Sequence, residues 1–237
     1  MKNITKVRPT LQQKYDAYYH GESEWRRLGA KDKAIHVVEL CQGISYETIL
    51  DVGAGEGAVL ERLSALGFGK SYCAAEISDS GIATIKARKI ENLTEVVKFD
   101  GYSLPYEDRK FDLCIASHVL EHVEHERLFL NEVARVARYV FIEVPLEETW
   151  RLGQAGIHNE IGHINFYNLA SVRRLVESCG LEVIEQKLFD VSLPMMTFHN
   201  RPLGLLKFLI RRSVFTMSPR LASLLFTYHG CLLLQKS

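Results

Sequence analysis

Thr48-Ile49-Leu50-Asp51-Val52-Gly53-Ala54-Gly55-Glu56-Gly57 is the stretch that decides the fold. Residues 48–52 form a short apolar run that reads as a buried strand. The three glycines let the backbone turn sharply and approach a ligand closely. Ala58 to Leu66 then carries helical periodicity through Val59, Leu60 and Leu63.

The same strand–turn–helix unit recurs outward from this point. Strands are predicted at Ser71–Ile77, Glu95–Phe99, Phe111–Ala116, Tyr139–Val144 and Leu181–Phe189, with a last one at Leu225–Leu234. Helices are predicted at Ser78–Ile90, Glu124–Ala137 and Leu169–Ser178, the last stopped by Gly180. Upstream, Lys31–Cys41 reads as a helix ended by Gly43. Alternating strands and helices imply an α/β fold, a doubly wound, mostly parallel sheet in three layers. Residues 1–30, rich in Tyr15, Tyr18, Tyr19 and Trp25, are expected to form lid helices. Residues 31–237 are expected to form the main domain, with a helical insert at about 191–224.

Hydrophobic residues make up 47% and charged residues 24%, which excludes a disordered or fibrous chain. The 29 basic and 29 acidic residues balance, so the chain as a whole is no electrostatic trap for nucleic acid. No Asp or Glu follows Asp190, whereas Arg201, Lys207, Arg211, Arg212, Arg220 and Lys236 do. The five cysteines are scattered, with no CxxC pair, as in a reducing cytoplasmic setting. No apolar run reaches the roughly 18–20 residues that span a bilayer, and residues 1–10 carry no apolar signal core.

In such sheets ligands bind beyond the carboxyl ends of the strands. Three of those ends carry suggestive groups. The first is the glycine turn. Its third glycine follows the second by two residues, not the three of a dinucleotide fingerprint, and Glu56 would repel a pyrophosphate. An acidic turn suits a cationic ligand instead. The second is Glu76, nineteen residues after Gly57, where a carboxylate can accept from ribose hydroxyls. The third is Asp100-Gly101, where Asp100 can accept from an adenine amine. Taken singly, Glu76 is equally a helix-cap residue and Asp100 equally a turn residue.

LDVGAGEG at 50–57, AAEIS at 74–78 and FDGYSLPYEDRKFDLCIASHVLEHV at 99–123 resemble the class I methyltransferases that use S-adenosylmethionine (SAM). The likeness spans roughly residues 31–189 and is greatest to the small-molecule branch with the ubiquinone-pathway O-methyltransferases. It implies a Rossmann-like sheet of order 3-2-1-4-5-7-6 with strand seven antiparallel. It also implies that Asp51, Gly53, Ala54, Gly55 and Gly57 hold the methionine part of SAM. By the same likeness Glu76, beside Ile77, takes the ribose, Asp100 and Gly101 take the adenine, and Ser117-His118 lie beside the methionine and sulfonium. One departure is plain. Where many members have a Pro-Gly-Gly turn before strand five, this chain reads Arg135-Val136-Ala137-Arg138-Tyr139.

Methyl transfer from a sulfonium is a displacement that needs alignment first and a base only where the acceptor must lose a proton. Histidines gather after strands four and five: His118, His122, His125, His158 and His163. His163, in the loop after strand five, is the expected base, oriented by Glu160 or a backbone carbonyl, with His118 a second candidate and His125 exposed at a helix start. No metal is expected. The alternative is His118, Glu121 and His122, whose i, i+3, i+4 spacing resembles the Glu-x-x-Glu-His metal site of some ubiquinone-pathway and small-RNA 2′-O-methyltransferases. The expected function is SAM-dependent methylation, on oxygen by preference, of a small-molecule acceptor. The rivals are a non-catalytic SAM-binding partner protein, a methyltransferase for lipid-like or RNA substrates, and a nicotinamide oxidoreductase that the glycine spacing opposes. The basic, apolar segment 201–226 either roofs the acceptor site or touches a membrane surface or lipid-like substrate.

Overall fold

A computed structural model describes residues 24–150, 152 and 162–236. Seven strands form one sheet: β1 Thr48–Val52, β2 Ser71–Glu76, β3 Leu93–Lys98, β4 Phe111–Ser117, β5 Ala137–Pro145, β6 Leu181–Phe189 and β7 His229–Lys236. Their order is β3-β2-β1-β4-β5-β7-β6. β1 pairs in parallel with β2 and β4, and β7 runs antiparallel to β5 and β6.

Side chains alternate across each strand, and this sorts the core onto two faces. Ile49, Leu113, Ile115, Phe141 and Leu233 meet α1 (Glu24–Leu40), α2 (Ala58–Ala65) and α3 (Asp79–Ala87). Leu50, Cys114, Ile142 and Leu232 meet α4 (Glu126–Val136) and α5 (Leu169–Glu177) on the other face. The period places Asp51, Ser117, Glu143 and His229 on the α1 face as well, at one end of four neighbouring strands. All four lie at the carboxyl ends of β1, β4 and β5 or beside them at the start of antiparallel β7.

Three differences from the expected element boundaries bear on the site. The first helix begins at Glu24, so it crosses the expected boundary at residue 30. The lid helices expected over residues 1–23 fall outside the described residues. α4 passes into β5 without a turn, Val136 ending the helix and Ala137 starting the strand. Arg135 makes this junction rigid, its guanidinium donating to the carbonyls of Tyr106 and Leu104 at 2.7 and 3.2 Å. The last strand starts at His229 rather than Leu225, because Leu224-Leu225 complete a helix capped by Ser218.

Between β6 and β7 stand α6 (Leu193–Thr197), α7 (Arg201–Met217) and α8 (Pro219–Leu225). The Asn200 side chain accepts from Leu203 N, and Pro202 and Pro219 occupy the first turns of α7 and α8. A Cβ on Gly204 would fall 2.2 Å from the Met196 carbonyl, so only glycine lets α7 lie against α6. The group leans on the start of α1, where Trp25 packs against Phe198 and Ser192 N donates to Asp32.

Candidate functional site

The glycine turn joins β1 to α2 with Gly53, Gly55 and Gly57 at φ of +74°, +57° and +75°, a left-handed backbone that glycine adopts without strain. Gly53 N and Ala54 N both donate to the Ala75 carbonyl, tying the turn to the end of β2. Gly81 completes the fit. A Cβ there would lie 2.7 Å from the Gly55 carbonyl and 2.6 Å from Ser78 Oγ, so α3 packs its first turn directly on the glycine turn.

Glu76 is the bracket between these parts. Its Oε2 accepts from Gly55 N at 2.8 Å, and its Oε1 accepts from Ser78 N and Oγ at 2.9 Å each. Burial raises its carboxyl, against these bonds. A carboxylate offers about four lone-pair directions, so these three bonds fix Glu76 in its loop and leave about one direction for a ligand. Ile77 is half-buried beside it. Asp100 Oδ1 accepts from Tyr102 N and Ser103 N, an Asx turn, and Gly101 is buried at φ +95°.

Glu56 differs from the expectation of an acidic ligand-facing turn. Its carboxylate is buried and meets Arg26 at 3.0 Å and Arg88 at 3.1 Å, so its charge is matched by protein. The acidic character of the site rests on Asp51. Burial pushes its carboxyl up to about 7, against the pull of Lys33. A buried acid with so high a value is a group in want of a cation.

A prediction follows for stability. An acid raised in the folded state stabilises fully below its unfolded value near 3.9, and that contribution is lost as pH rises through about 7. Asp51→Asn should therefore stabilise the ligand-free protein by about 2–4 kcal/mol at pH 8 and hardly at pH 4. Urea unfolding at the two pH values checks this, and a less stable Asp51→Asn at pH 8 contradicts it.

At the ends of β4 and β5 the α1 face holds a buried polar cluster. Ser117 Oγ donates to Glu143 Oε2 at 2.7 Å. His36 Nδ1 and His229 Nδ1 lie 2.8 and 3.1 Å from Glu143 Oε1, and His118 Nε2 lies 3.6 Å from it. Burial would raise the Glu143 carboxyl, but the three imidazoles hold it well below the usual carboxylate range. Burial and Lys33 lower His118, yet Glu121 and Glu143 outweigh them and raise it. Burial lowers His229.

His118 has φ +57°, a left-handed backbone unusual for a residue with a side chain. This swings its ring toward Glu143 and His229, its Nε2 2.9 Å from His229 Nδ1. The trio His118, Glu121 and His122 does not converge. The turn from Leu120 to His122 is a 3₁₀ helix, which keeps Glu121 at 3.2 Å from His118 Nδ1 but sends His122 to the Gly162 carbonyl.

The 162–167 segment is stitched to that 3₁₀ turn. Ile164 N and Asn165 N donate to the Glu121 carbonyl, and the Asn165 amide donates to Leu120 and Val123. His163 thereby stands against His122, ring centroids 4.7 Å apart, and its Nδ1 lies 2.7 Å from Glu147 Oε2. Glu147, two residues past β5, is thus one of its partners. Glu160 and His158 lie outside the described residues. His125 is half-buried against Tyr102 rather than exposed. Glu143, His36, His229 and Glu147 were not anticipated as site residues. The one signal was a glutamate inside the apolar run Tyr139–Val144.

The sequence profile of the methyltransferase domain family matches residues 20–186. The chain belongs to the class I SAM-dependent methyltransferases. It is 32% identical over 111 residues to an uncharacterised methyltransferase of Mycolicibacterium vanbaalenii, a match covering 47% of this chain and 42% of that protein. It is 30% identical over 90 residues to a phthiotriol/phenolphthiotriol dimycocerosates methyltransferase of Mycobacterium tuberculosis, covering 38% and 33%. The chain thus spans under half the length of these relatives. A SAM-dependent methyltransferase of Aquifex aeolicus shares the fold at 17% identity and a TM-score of 0.57, covering 96% of this chain and 99% of that one.

The cofactor of this methyltransferase is SAM, and the residues present fit it. The turn offers a left-handed glycine backbone, and beside it Asp51, a buried carboxylate that burial raises to about 7, suits a cationic ligand. Among the described residues no helix is long and apolar enough to cross a membrane.

Proposed function

We propose that this methyltransferase methylates a hydroxyl of a small, lipid-like acceptor presented at a membrane surface. The observation that carries the donor half is Asp51, a buried carboxylate raised to about 7 beside the glycine turn. SAM, when bound, supplies a methyl group on a positively charged sulfur. Gly53, Ala54, Gly55 and Gly57 would hold its methionine part by backbone, with Asp51 answering its ammonium group. Glu76 would accept from the ribose, Ile77 would pack beside it, and Asp100 with Gly101 would take the adenine. Ser117 and His118 would line the reactive end.

On the acceptor side, His163 would take the hydroxyl proton. Glu147 at 2.7 Å from Nδ1 favours a proton on that nitrogen and a lone pair on Nε2. His118, held by Glu121, would orient the acceptor rather than take its proton.

The lipid-like acceptor is supported by α7 and α8. At about 100° per residue, Leu203, Leu205, Leu206, Leu209, Ile210 and Met217 fall within one arc of about 160°. All six are exposed, Met217 at 84%. Arg212 borders one edge of the arc and Lys207 the other, as in helices that lie in the headgroup region of an anionic bilayer. Leu221 and Leu224 extend the apolar surface onto α8. The relative named for dimycocerosates, whose acceptor is by name a triol, agrees with a hydroxyl on a lipid.

Two measurements test this. Labelled SAM incubated with extracted lipids should give a labelled lipid product. A labelled polar metabolite or RNA would replace the acceptor class, and no product in any fraction would leave a SAM-binding protein without catalysis. The chain should also sediment with vesicles containing phosphatidylserine, and Leu206→Glu with Leu209→Glu should weaken that binding at least about tenfold. Equal sedimentation of the double variant would remove the membrane contact.

A further inference from the structure

The cluster at Glu143 is more than methyl transfer requires. Proton removal and donor binding are met by other residues, yet three imidazoles crowd one buried carboxylate oxygen. His118 Nε2, His229 Nδ1 and Glu143 Oε1 lie 2.9, 3.1 and 3.6 Å from one another. A tetrahedral ion with bonds of about 2.0–2.1 Å separates its ligand atoms by about 3.3–3.4 Å. The three atoms thus form nearly one face of such a site.

We propose that His118, Glu143 and His229 bind a divalent first-row transition ion, zinc by chemistry, as a two-histidine, one-carboxylate site with an open position.

Three features of the surroundings support it. Glu121 is acceptor-only and stands 3.2 Å from His118 Nδ1, which favours the proton there and leaves the lone pair of Nε2 on the site. It is an ion-pair contact, and a carboxylate so placed can fix the tautomer of a ligating imidazole. His36 and Ser117 hold the two oxygens of Glu143, fixing the third ligand in the same way. Finally, the left-handed backbone of His118 is what turns its ring to this point. The His118 Nε2 and His229 Nδ1 atoms stand 2.9 Å apart, and both also face Glu143 Oε1. An ion satisfies all three lone pairs at once. Nitrogen and carboxylate ligands favour zinc and its neighbours over magnesium.

The site is separate from the group formed by Glu121, His122 and His163, whose ligand atoms also lie within 4.8 Å of one another. Variants distinguish the two. The metal-free chain, dialysed against a chelator and then titrated with Zn²⁺ in a calorimeter, should bind one ion per chain at this site. His229→Asn should weaken that binding at least about a hundredfold, and His122→Asn should leave it within about threefold. Co²⁺ in place of zinc should give a visible absorption band that His229→Asn abolishes. Far-ultraviolet circular dichroism confirms that each variant is folded. Should His229→Asn unfold, His118→Asn carries the same expectation. Absence of stoichiometric Zn²⁺ binding by the folded wild type overturns the proposal. So does binding that survives His229→Asn and His118→Asn, or is lost in His122→Asn alone.

Discussion

Replacing His163 with alanine is expected to lower turnover by roughly 10²–10⁴ while SAM affinity stays near wild type. The imidazole is buried, set by Glu147 at 2.7 Å and by the contact with His122. It is anchored on a segment whose backbone is bonded to the 3₁₀ turn after β4. This places it beside the 3₁₀ turn that follows β4 and His118, where the proposed acceptor hydroxyl would meet the methyl group. A base in this position acts only as the new bond forms, so its loss falls on turnover and not on donor binding. Kinetics with the acceptor lipid, once identified, check this beside calorimetry with SAM. A folded His163→Ala enzyme with near-normal turnover would show that the ring is structural. The acceptor would then have to arrive already deprotonated or react through alignment alone.

The donor half of the proposed site is legible in the sequence as a set of strand ends, because those positions are local. The turn follows β1, Glu76 ends β2 and Asp100 stands two residues past β3, and a strand of known length fixes where its last side chain stands. Even there the sequence overstated Glu56, since nothing in its neighbourhood announces Arg26, thirty residues upstream. The acceptor half was less legible, for two physical reasons. The spacing of His118, Glu121 and His122 suits an α-helix, but the chain forms a 3₁₀ turn after a left-handed residue, and one ring points away. And the cluster at Glu143 depends on strand register. Pro145 pairs with His229 across an antiparallel ladder that no spacing of residues reveals. The likeness to known methyltransferases supplied the sheet order, which places β7 beside β5, but not which side chains meet there.

The second large effect concerns the turn itself. Gly55→Val is expected to abolish measurable SAM binding. Gly55 lies at φ +57°, where a β-branched residue is strained, and its N–H is committed to Glu76. In the proposed donor site a side chain here would enter the space that the methionine part of SAM takes. Strain alone does not explain such a loss, and Gly43 provides the control. Gly43 has φ +85° and nothing within 4 Å of a Cβ, so Gly43→Val strains a turn without filling a site. It should leave SAM affinity unchanged.

Calorimetric titration of SAM into the wild type, Gly55→Val and Gly43→Val therefore decides whether the glycine turn binds the donor. The expected result is one SAM per chain for the wild type and Gly43→Val, and none for a folded Gly55→Val. No binding by the folded wild type, or equal affinity in Gly55→Val, would contradict the assignment of the glycine turn as the donor site.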